Sequence, residues 1–260
     1  MRERKTSRRC VLALDLGSSS VRAGLYDAAG APLGGDSAAR VTYLWRTTPD
    51  GGMEIGAERL FRLVARLLDA ALERARAARL EVAAVGASCF WHSLLGVGAD
   101  GSPLTPVYGW GEMRSAAAAL RLRERVDEDA VHARTGCFLH PSYPTAKLPW
   151  LREAAGDTFR RAAAWMSFAE YLELRLFGVR RCSVSMASGS GLLDLRTLRW
   201  DPEMVAAAGV EEGALSELAD PGAPGPALLP EWARRWPELA SVPWYPPLGD
   251  GACAALGSGA

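Results

Sequence analysis

Two carboxylates at opposite ends of the chain lie in glycine-containing turns that could bind phosphate or move a proton. Asp15 ends an apolar run and precedes Gly17 and the serines at 18–20. The glycine permits a sharp turn whose N–H groups and hydroxyls suit the oxygens of a phosphate. Asp15 could hold Mg²⁺ directly or through water, and Arg22 could add charge-assisted hydrogen bonds to the phosphate. The alternative is an ordinary hairpin in which Asp15 and the serines satisfy the turn backbone and Arg22 is solvated.

The second carboxylate, Asp250, stands between Gly249 and Gly251 and opens a stretch of small residues. One interpretation is that Asp250 serves only as the N-cap of a helix. The other interpretation needs a partner, because phosphoryl transfer requires a metal-and-phosphate site plus a carboxylate that accepts the proton of the attacking hydroxyl. Asp15 and Asp250 together supply both parts.

The hydrophobic pattern predicts the elements that position these turns. The run at 11–14 is too short for a helix and apolar on both faces, which favours a central strand. The first half of the chain is predicted to contain strands at 11–14, 21–26 and 40–45, a helix over 56–80, a strand at 82–88, and a hairpin formed by 94–97 and 104–110. This order indicates an α/β domain with a mixed sheet.

The second half of the chain is richer in helix signals. Segments 114–134, 145–155 and 168–177 are predicted to form a helical insertion or lid, and 202–208 another helix. The polar stretch 183–195 predicts a turn region that leads into a short strand. Prolines and glycines crowd residues 220–230, which we interpret as a surface loop.

Composition excludes several classes of protein. The 260 residues carry 30 basic and 30 acidic side chains, so no net charge favours nucleic acid or an anionic membrane. No apolar run approaches transmembrane length, and the basic stretch 1–9 is interpreted as a frayed tail. Five scattered cysteines and three histidines show no metal-ligand or disulfide spacing. We expect a soluble cytoplasmic protein without nucleic-acid or membrane partners.

Several short motifs in a fixed order resemble the N-terminal half of a carbohydrate kinase of the FGGY family. The resemblance implies an actin-like ATPase (ribonuclease H-like) domain, a mixed sheet with flanking helices and a helical insertion. It also implies ATP and Mg²⁺ as cofactors and a small sugar or sugar acid as substrate. The motifs lie at 15–20, 91–93, 110–114, 135–136, 147–151, 188–194 and 249–251.

The resemblance assigns roles to the residues of both turns. Asp15 would help to hold Mg²⁺ and the phosphates. Asp250 would be the general base and would contact the sugar. The residues implied to contact the transferred phosphate are Gly17, Ser18, Ser19 and Arg22.

Sugar contacts are implied at Trp91, His92, Trp110 and Tyr143, with Ser142 as an alternative to Tyr143. Indoles can pack on the apolar faces of a sugar, although they equally often belong to a core. Trp91 and His92 fall where the gluconokinase and xylulokinase branches contact the sugar and where glycerol kinases carry an Arg-Glu pair. The motifs are most similar to those of gluconokinase-like members, and xylulokinase is the alternative.

The resemblance also sets an expectation for domain organisation. Residues 1–260 correspond to the family's N-terminal sugar-binding domain, and only about 249–260 belong to the start of the ATP-binding domain. We therefore expect a missing ATP-binding domain as partner. Because closure of two domains is required, we expect little or no kinase activity from this chain alone. We also expect an exposed apolar C-terminal stripe that could support a homodimer. The alternative is a non-catalytic sugar-binding or regulatory module.

Overall fold

The computed structural model describes residues 8–33 and 39–259. The strands, numbered in chain order, are β1 (Arg8–Leu16), β2 (Ser20–Tyr26), β3 (Ala39–Thr42), β4 (Arg46–Thr47), β5 (Met53–Ile55), β6 (Leu80–Cys89), β7 (Leu95–Val97), β8 (Val107–Tyr108), β9 (Ala164–Met166), β10 (Arg181–Ser183), β11 (Leu193–Asp194), β12 (Arg199–Trp200), β13 (Glu217–Ala219) and β14 (Leu248–Gly249). The helices are α1 (Ala57–Ala77), α2 (Ala116–Arg123), α3 (Glu128–Thr135), α4 (Pro144–Ala154), α5 (Gly156–Arg161), α6 (Phe168–Phe177), α7 (Val184–Ser188), α8 (Pro202–Ala208), α9 (Pro230–Arg235) and α10 (Asp250–Ser258).

A five-stranded sheet in the order β14-β6-β1-β2-β3 carries both of the predicted turns. β1 pairs parallel with β6 and antiparallel with β2, and β6 pairs parallel with β14. Leu12, Leu14 and Leu16 are buried because β1 lies in the middle of this sheet. α1 packs its apolar stripe against β2, β3 and β6. The predicted α/β domain with a mixed sheet is therefore confirmed.

The helical part between β8 and β10 agrees with the predicted helical insertion. α6 coincides with the predicted segment 168–177, because Ser167 and Glu170 form a capping box at its start and Gly178 ends it at a φ of 73°. α4 and α8 also form where the sequence predicts them. Within residues 8–33 and 39–259, no helix is long and apolar enough to cross a membrane.

The predicted antiparallel pairing of 94–97 with 104–110 is present, but only as isolated bridges and backbone hydrogen bonds, and the named strands in these segments take other partners. β7 pairs with β9, and β8 pairs with β5, so each short strand finds a partner distant in sequence. The two segments are joined by isolated bridges between Leu94 and Tyr108 and between Val97 and Pro103. Pro103 and Pro106 supply no N–H group, which explains why a continuous ladder does not form.

Three further predictions need correction. The turn region predicted at 183–195 contains the short helix α7, which Ser183 caps by accepting the N–H of Met186. The strand predicted at 40–45 ends at Thr42. Of the tail predicted at 1–9, residues 1–7 lie outside the described residues, whereas Arg8 and Arg9 belong to β1 and pair with β6.

Candidate functional site

The turn between β1 and β2 points its carbonyl oxygens into the protein. The Tyr43 hydroxyl donates to the Gly17 carbonyl at 2.6 Å, and Trp45 Nε1 donates to the Ser18 carbonyl at 2.6 Å. The backbone N–H of Tyr43 donates to the Ser19 carbonyl at 3.1 Å. Among the described residues, the N–H groups of Ser18 and Ser19 have no hydrogen-bond partner. Outward N–H groups of this kind suit an anion such as phosphate.

Asp15 lies directly opposite Arg22 in the β1–β2 register. Arg22 Nη1 is 3.3 Å from Asp15 Oδ2, and the hydroxyl of Ser88 donates to Asp15 Oδ1 at 3.0 Å. The side chains of Asp15 and Arg22 are 43% and 48% exposed. A solvated pair of this kind contributes little to stability, so both charges remain available to a ligand.

The sheet brings Asp250 and Asp15 to the same end of three parallel strands, β14, β6 and β1. Leu248 of β14 lies beside Ser88 of β6, and Ser88 lies beside Asp15 of β1. Two strand spacings, about 10 Å, therefore separate the strands that carry the two turns. Burial raises the pKa of the Cys253 thiol, and the negative charges of Asp250 and Asp15 raise it further.

Asp250 is the first residue of α10, and Gly249 is the N-cap, so the prediction that Asp250 caps this helix is wrong. Its Oδ1 atom accepts the N–H of Gly251 at 2.9 Å. Within the part of the chain that the structure describes, Oδ2 has no hydrogen-bond partner. One carboxylate oxygen is thus held in place while the other is free to accept a proton.

Trp91 is partly buried, and the backbone of three glycines lies close to its indole. A Cβ atom added to Gly249 would lie 1.9 Å from Trp91 Cε2, and one added to Gly251 would lie 2.6 Å from Cζ3. A Cβ atom added to Gly189 would lie 2.6 Å from Cδ1. Trp91 Nε1 donates to the Ser185 carbonyl at 2.9 Å. This geometry favours a packing role over stacking on a sugar.

His92 adopts a φ of 64°, a conformation uncommon for a residue other than glycine. Its Nδ1 atom lies 2.6 Å from the Gly189 carbonyl, and its ring lies edge-on to Tyr143 with the ring centres 4.6 Å apart. Burial lowers the pKa of His92. Because a carbonyl only accepts, Nδ1 carries the proton, and the Nε2 atom of the neutral ring can accept a hydrogen bond from a hydroxyl.

Lys147 joins the three segments that carry the candidate sugar contacts. Its Nζ atom donates to the carbonyls of His92 at 2.5 Å, Gly109 at 2.8 Å and Ser142 at 2.7 Å. The residue is fully buried, and burial lowers the pKa of its amine to about 7. Lys147 therefore fixes the backbone next to His92 and beside two aromatic residues, Trp110 and Tyr143.

Trp110 and Tyr143 differ in accessibility. Trp110 is 50% exposed and follows the anchored Gly109, so its indole offers an open apolar surface. Tyr143 is half-buried and is the N-cap residue of α4. Tyr143 packs against His92 through ring contact, and Lys147 brings Trp110 to the same region.

Glu112 and Arg114 form a buried clamp. Glu112 is fully buried, and its two carboxylate oxygens accept from Nε and Nη2 of Arg114 at 2.8 and 2.7 Å. The same carboxylate accepts the backbone N–H of Met53 at 3.2 Å. Glu54 is a second carboxylate partner of Arg114, and together the two hold its pKa above the usual range. This pair holds the chain around Trp110.

Sequence reasoning missed several residues that hold the site together. Tyr43 and Trp45 are two positions apart and both donate to the phosphate turn, and this alternation was the available signal. Lys147 interrupts an otherwise buried helix face, which is unusual for a lysine. Ser88 and Ser185 gave no signal, because their partners are distant in sequence.

Comparison with known proteins gives the chain a family context. A family model described as "FGGY family of carbohydrate kinases, N-terminal domain" matches residues 10–257. The gluconokinase of Bacillus subtilis (strain 168) is 27% identical over 209 residues, which cover 80% of this chain and 40% of the relative. The gluconokinase of Bacillus licheniformis is 26% identical over 252 residues, which cover 95% of this chain and 47% of that relative. A glycerol kinase from Rhodospirillum centenum (strain ATCC 51521 / SW) is 29% identical over 220 residues, which cover 82% of this chain and 44% of that relative.

Solved structures share the fold. A xylulose kinase from Lactobacillus acidophilus superposes with a TM-score of 0.89 at 24% identity over 97% of this chain and 50% of that one. A xyloylose kinase from Brucella ovis superposes with a TM-score of 0.86 at 28% identity, over 95% of this chain and 50% of that one. The predicted actin-like fold is therefore confirmed. The chain spans about half the length of the curated relatives it matches.

Proposed function

The chain belongs to the FGGY family of carbohydrate kinases, and from that premise we propose that it forms the sugar-binding side of a kinase active site. A sugar or sugar acid would lie between the Asp15 turn and Asp250. The transferred phosphate would be bound by the turn at 17–19 and by Arg22. ATP would be the phosphate donor, and Mg²⁺ would be held by Asp15 directly or through water.

The convergence of the two carboxylates carries this proposal. Asp15 and Asp250 lie at the carboxyl ends of the parallel strands β1 and β14, which are separated by the single strand β6. The turn after Asp15 has N–H groups without a partner among the described residues, which fits phosphate oxygens, and the half-exposed Asp15 carboxylate is accessible to a metal ion. Mg²⁺ is commonly bound by one or two carboxylates plus the phosphates of the substrate, so a single aspartate is a sufficient protein ligand.

Each residue would have a defined task during transfer. The free Oδ2 atom of Asp250 accepts the proton of the attacking hydroxyl as the oxygen forms its bond to the terminal phosphorus. The bond from that phosphorus to the leaving diphosphate oxygen breaks, and ADP leaves. Bound Mg²⁺ supplies neutralisation of phosphate charge. His92 Nε2 would accept a second sugar hydroxyl, and the exposed indole of Trp110 would cover an apolar sugar face.

Gluconate or a similar carbohydrate is the substrate we propose. Two gluconokinases are among the curated relatives, and the resemblance implies that Trp91 and His92 stand where the gluconokinase and xylulokinase branches contact the sugar. A ketose such as xylulose is the alternative, because xylulose kinases are among the relatives and solved structures.

Calorimetric titration of this chain with gluconate, xylulose and glycerol tests the proposal. We expect saturable binding of gluconate that is weakened about tenfold by His92→Ala, since one lost hydrogen bond to a buried group is worth about 1.4 kcal/mol. The control is His132→Ala, which removes an imidazole that stacks on Phe138 and is not one of the proposed sugar contacts. The proposal is contradicted by a chain that binds none of the three polyols.

A further inference from the structure

The segment 183–189, which contains α7, makes two hydrogen bonds to the chain that leads into Asp250. The hydroxyl of Ser183 donates to the Pro247 carbonyl at 2.6 Å. The N–H of Gly249 donates to the hydroxyl oxygen of Ser185 at 3.0 Å. These two bonds lie just before Asp250 and fix the backbone from which its carboxylate extends.

The same segment also holds the chain that carries His92. The Ser185 carbonyl accepts Trp91 Nε1 at 2.9 Å, and the Gly189 carbonyl accepts His92 Nδ1 at 2.6 Å. Ser185 therefore binds Gly249 through its side chain and Trp91 through its backbone. One residue thus connects the turn of the proposed base to the proposed sugar contact.

Trp91 completes this connection by filling the space beside the turn. The slot admits the indole only because Gly249 and Gly251 lack Cβ atoms, which would lie 1.9 and 2.6 Å from the ring. Such separations are far below van der Waals contact, so the ring and the turn fit together in one arrangement. A displacement of Trp91 would therefore displace the backbone on either side of Asp250.

We infer that Ser185 and Trp91 are positioning residues that set the place of the Asp250 carboxylate relative to His92. In this arrangement Trp91 does not stack on the sugar. The inference rests on the proposed function for its consequence in binding, but the hydrogen bonds and packing that carry it do not depend on the ligand.

Ser185→Ala in the full chain tests the inference. It removes the acceptor of the Gly249 N–H and leaves the carbonyl that binds Trp91. Without ligand, amide exchange of Gly249 measured by NMR should become about tenfold faster, because a lost hydrogen bond of about 1.4 kcal/mol corresponds to that factor. Ser185→Thr keeps a hydroxyl and should restore slow exchange. Ser258→Ala removes a hydroxyl bound only within α10 and is the matched control.

Gluconate titration of the same proteins adds the functional measurement. Ser185→Ala should weaken gluconate binding about fivefold through the displaced Asp250, whereas Ser185→Thr and Ser258→Ala should match the unmodified chain. Trp91→Phe, which loses the Nε1 donor, should likewise speed the amide exchange of Gly249 and weaken gluconate binding. It should also speed the amide exchange of Gly251.

The outcomes separate the inference from the proposed function. Unchanged exchange of Gly249 in Ser185→Ala overturns the inference whatever the chain binds. Faster exchange with unaltered gluconate affinity overturns the link to Asp250. Faster exchange in a chain that binds no polyol supports the positioning of the turn and contradicts the proposed function.

Discussion

Replacement of Lys147 by methionine tests whether a buried amine holds the sugar-side segments together. Methionine has a similar length and no donor, so Lys147→Met removes the hydrogen bonds to the carbonyls of His92, Gly109 and Ser142, three for the ammonium form and two for the neutral amine. It also removes the cost of burying a charge. Burial lowers the pKa of Lys147 from 10.5 to about 7, so the amine loses its proton at a lower pH in the folded chain than in the unfolded chain.

The sign of the pH effect follows from proton binding. Between pH 7 and pH 10.5 the unfolded chain holds the lysine proton and the folded chain releases it, so the stability of the unmodified protein rises with pH in this window. Methionine cannot titrate. At about 1.4 kcal/mol per pKa unit, the stability difference between the unmodified protein and Lys147→Met should grow by about 3 kcal/mol from pH 6 to pH 9.

Urea unfolding of both proteins at pH 6, 7.5 and 9 measures this difference directly. Other titrating groups contribute to both proteins and largely cancel. Arg152→Met, an exposed substitution on the same helix, is the control and should show a constant difference across the range. A constant difference for Lys147→Met as well would show that the amine keeps its ordinary pKa and that the buried, desolvated environment is described wrongly.

Three further changes probe separate parts of the site. Glu112→Ala should lower the free energy of unfolding by about 3–5 kcal/mol, because it leaves Arg114 without its buried partner, whereas Glu153→Ala at an exposed pair should cost less than about 1 kcal/mol in the same urea titration. Trp110→Ala should weaken gluconate binding in calorimetry without lowering the melting temperature, since half of the indole is exposed, and a large loss of stability would contradict that role. Tyr43→Phe should cost about 1 kcal/mol of stability and weaken binding of inorganic phosphate, and unchanged phosphate binding would separate the turn from the phosphate.

Local patterns predicted the helices well where caps mark their ends. Segments 168–177 and 202–208 coincide with α6 and α8 because Ser167 and Asp201 cap their starts and glycines end them. The central strand β1 was also predicted from its apolar run, although only one of its faces is fully buried, since Leu12, Leu14 and Leu16 are buried and Val11 is exposed. Strand pairing was less predictable, because β7 and β8 pair with strands that lie far along the chain.

The candidate site shows the same division between local and distant information. The turn after Asp15 and the glycines around Asp250 are visible as local motifs. The contacts that orient them depend on tertiary structure: Ser88 donates to Asp15 from the neighbouring strand β6, and Lys147 binds backbone carbonyls, which carry no sequence signature. The surroundings of Trp91 likewise became clear only when three glycines from two other segments were seen around it.

The rate of phosphate transfer with Asp250→Asn tests the central claim most directly. Residues 10–257 of this chain would replace the matched region of the Bacillus licheniformis gluconokinase, and transfer from Mg-ATP to gluconate would be measured with and without the substitution, with Asp220→Asn in the exposed loop as control. We predict a fall in kcat of about 10²–10⁴-fold for Asp250→Asn, the usual contribution of a general base, and no change for the control. A kcat that stays within about tenfold of the unsubstituted chimera would contradict the assignment of Asp250 as the base.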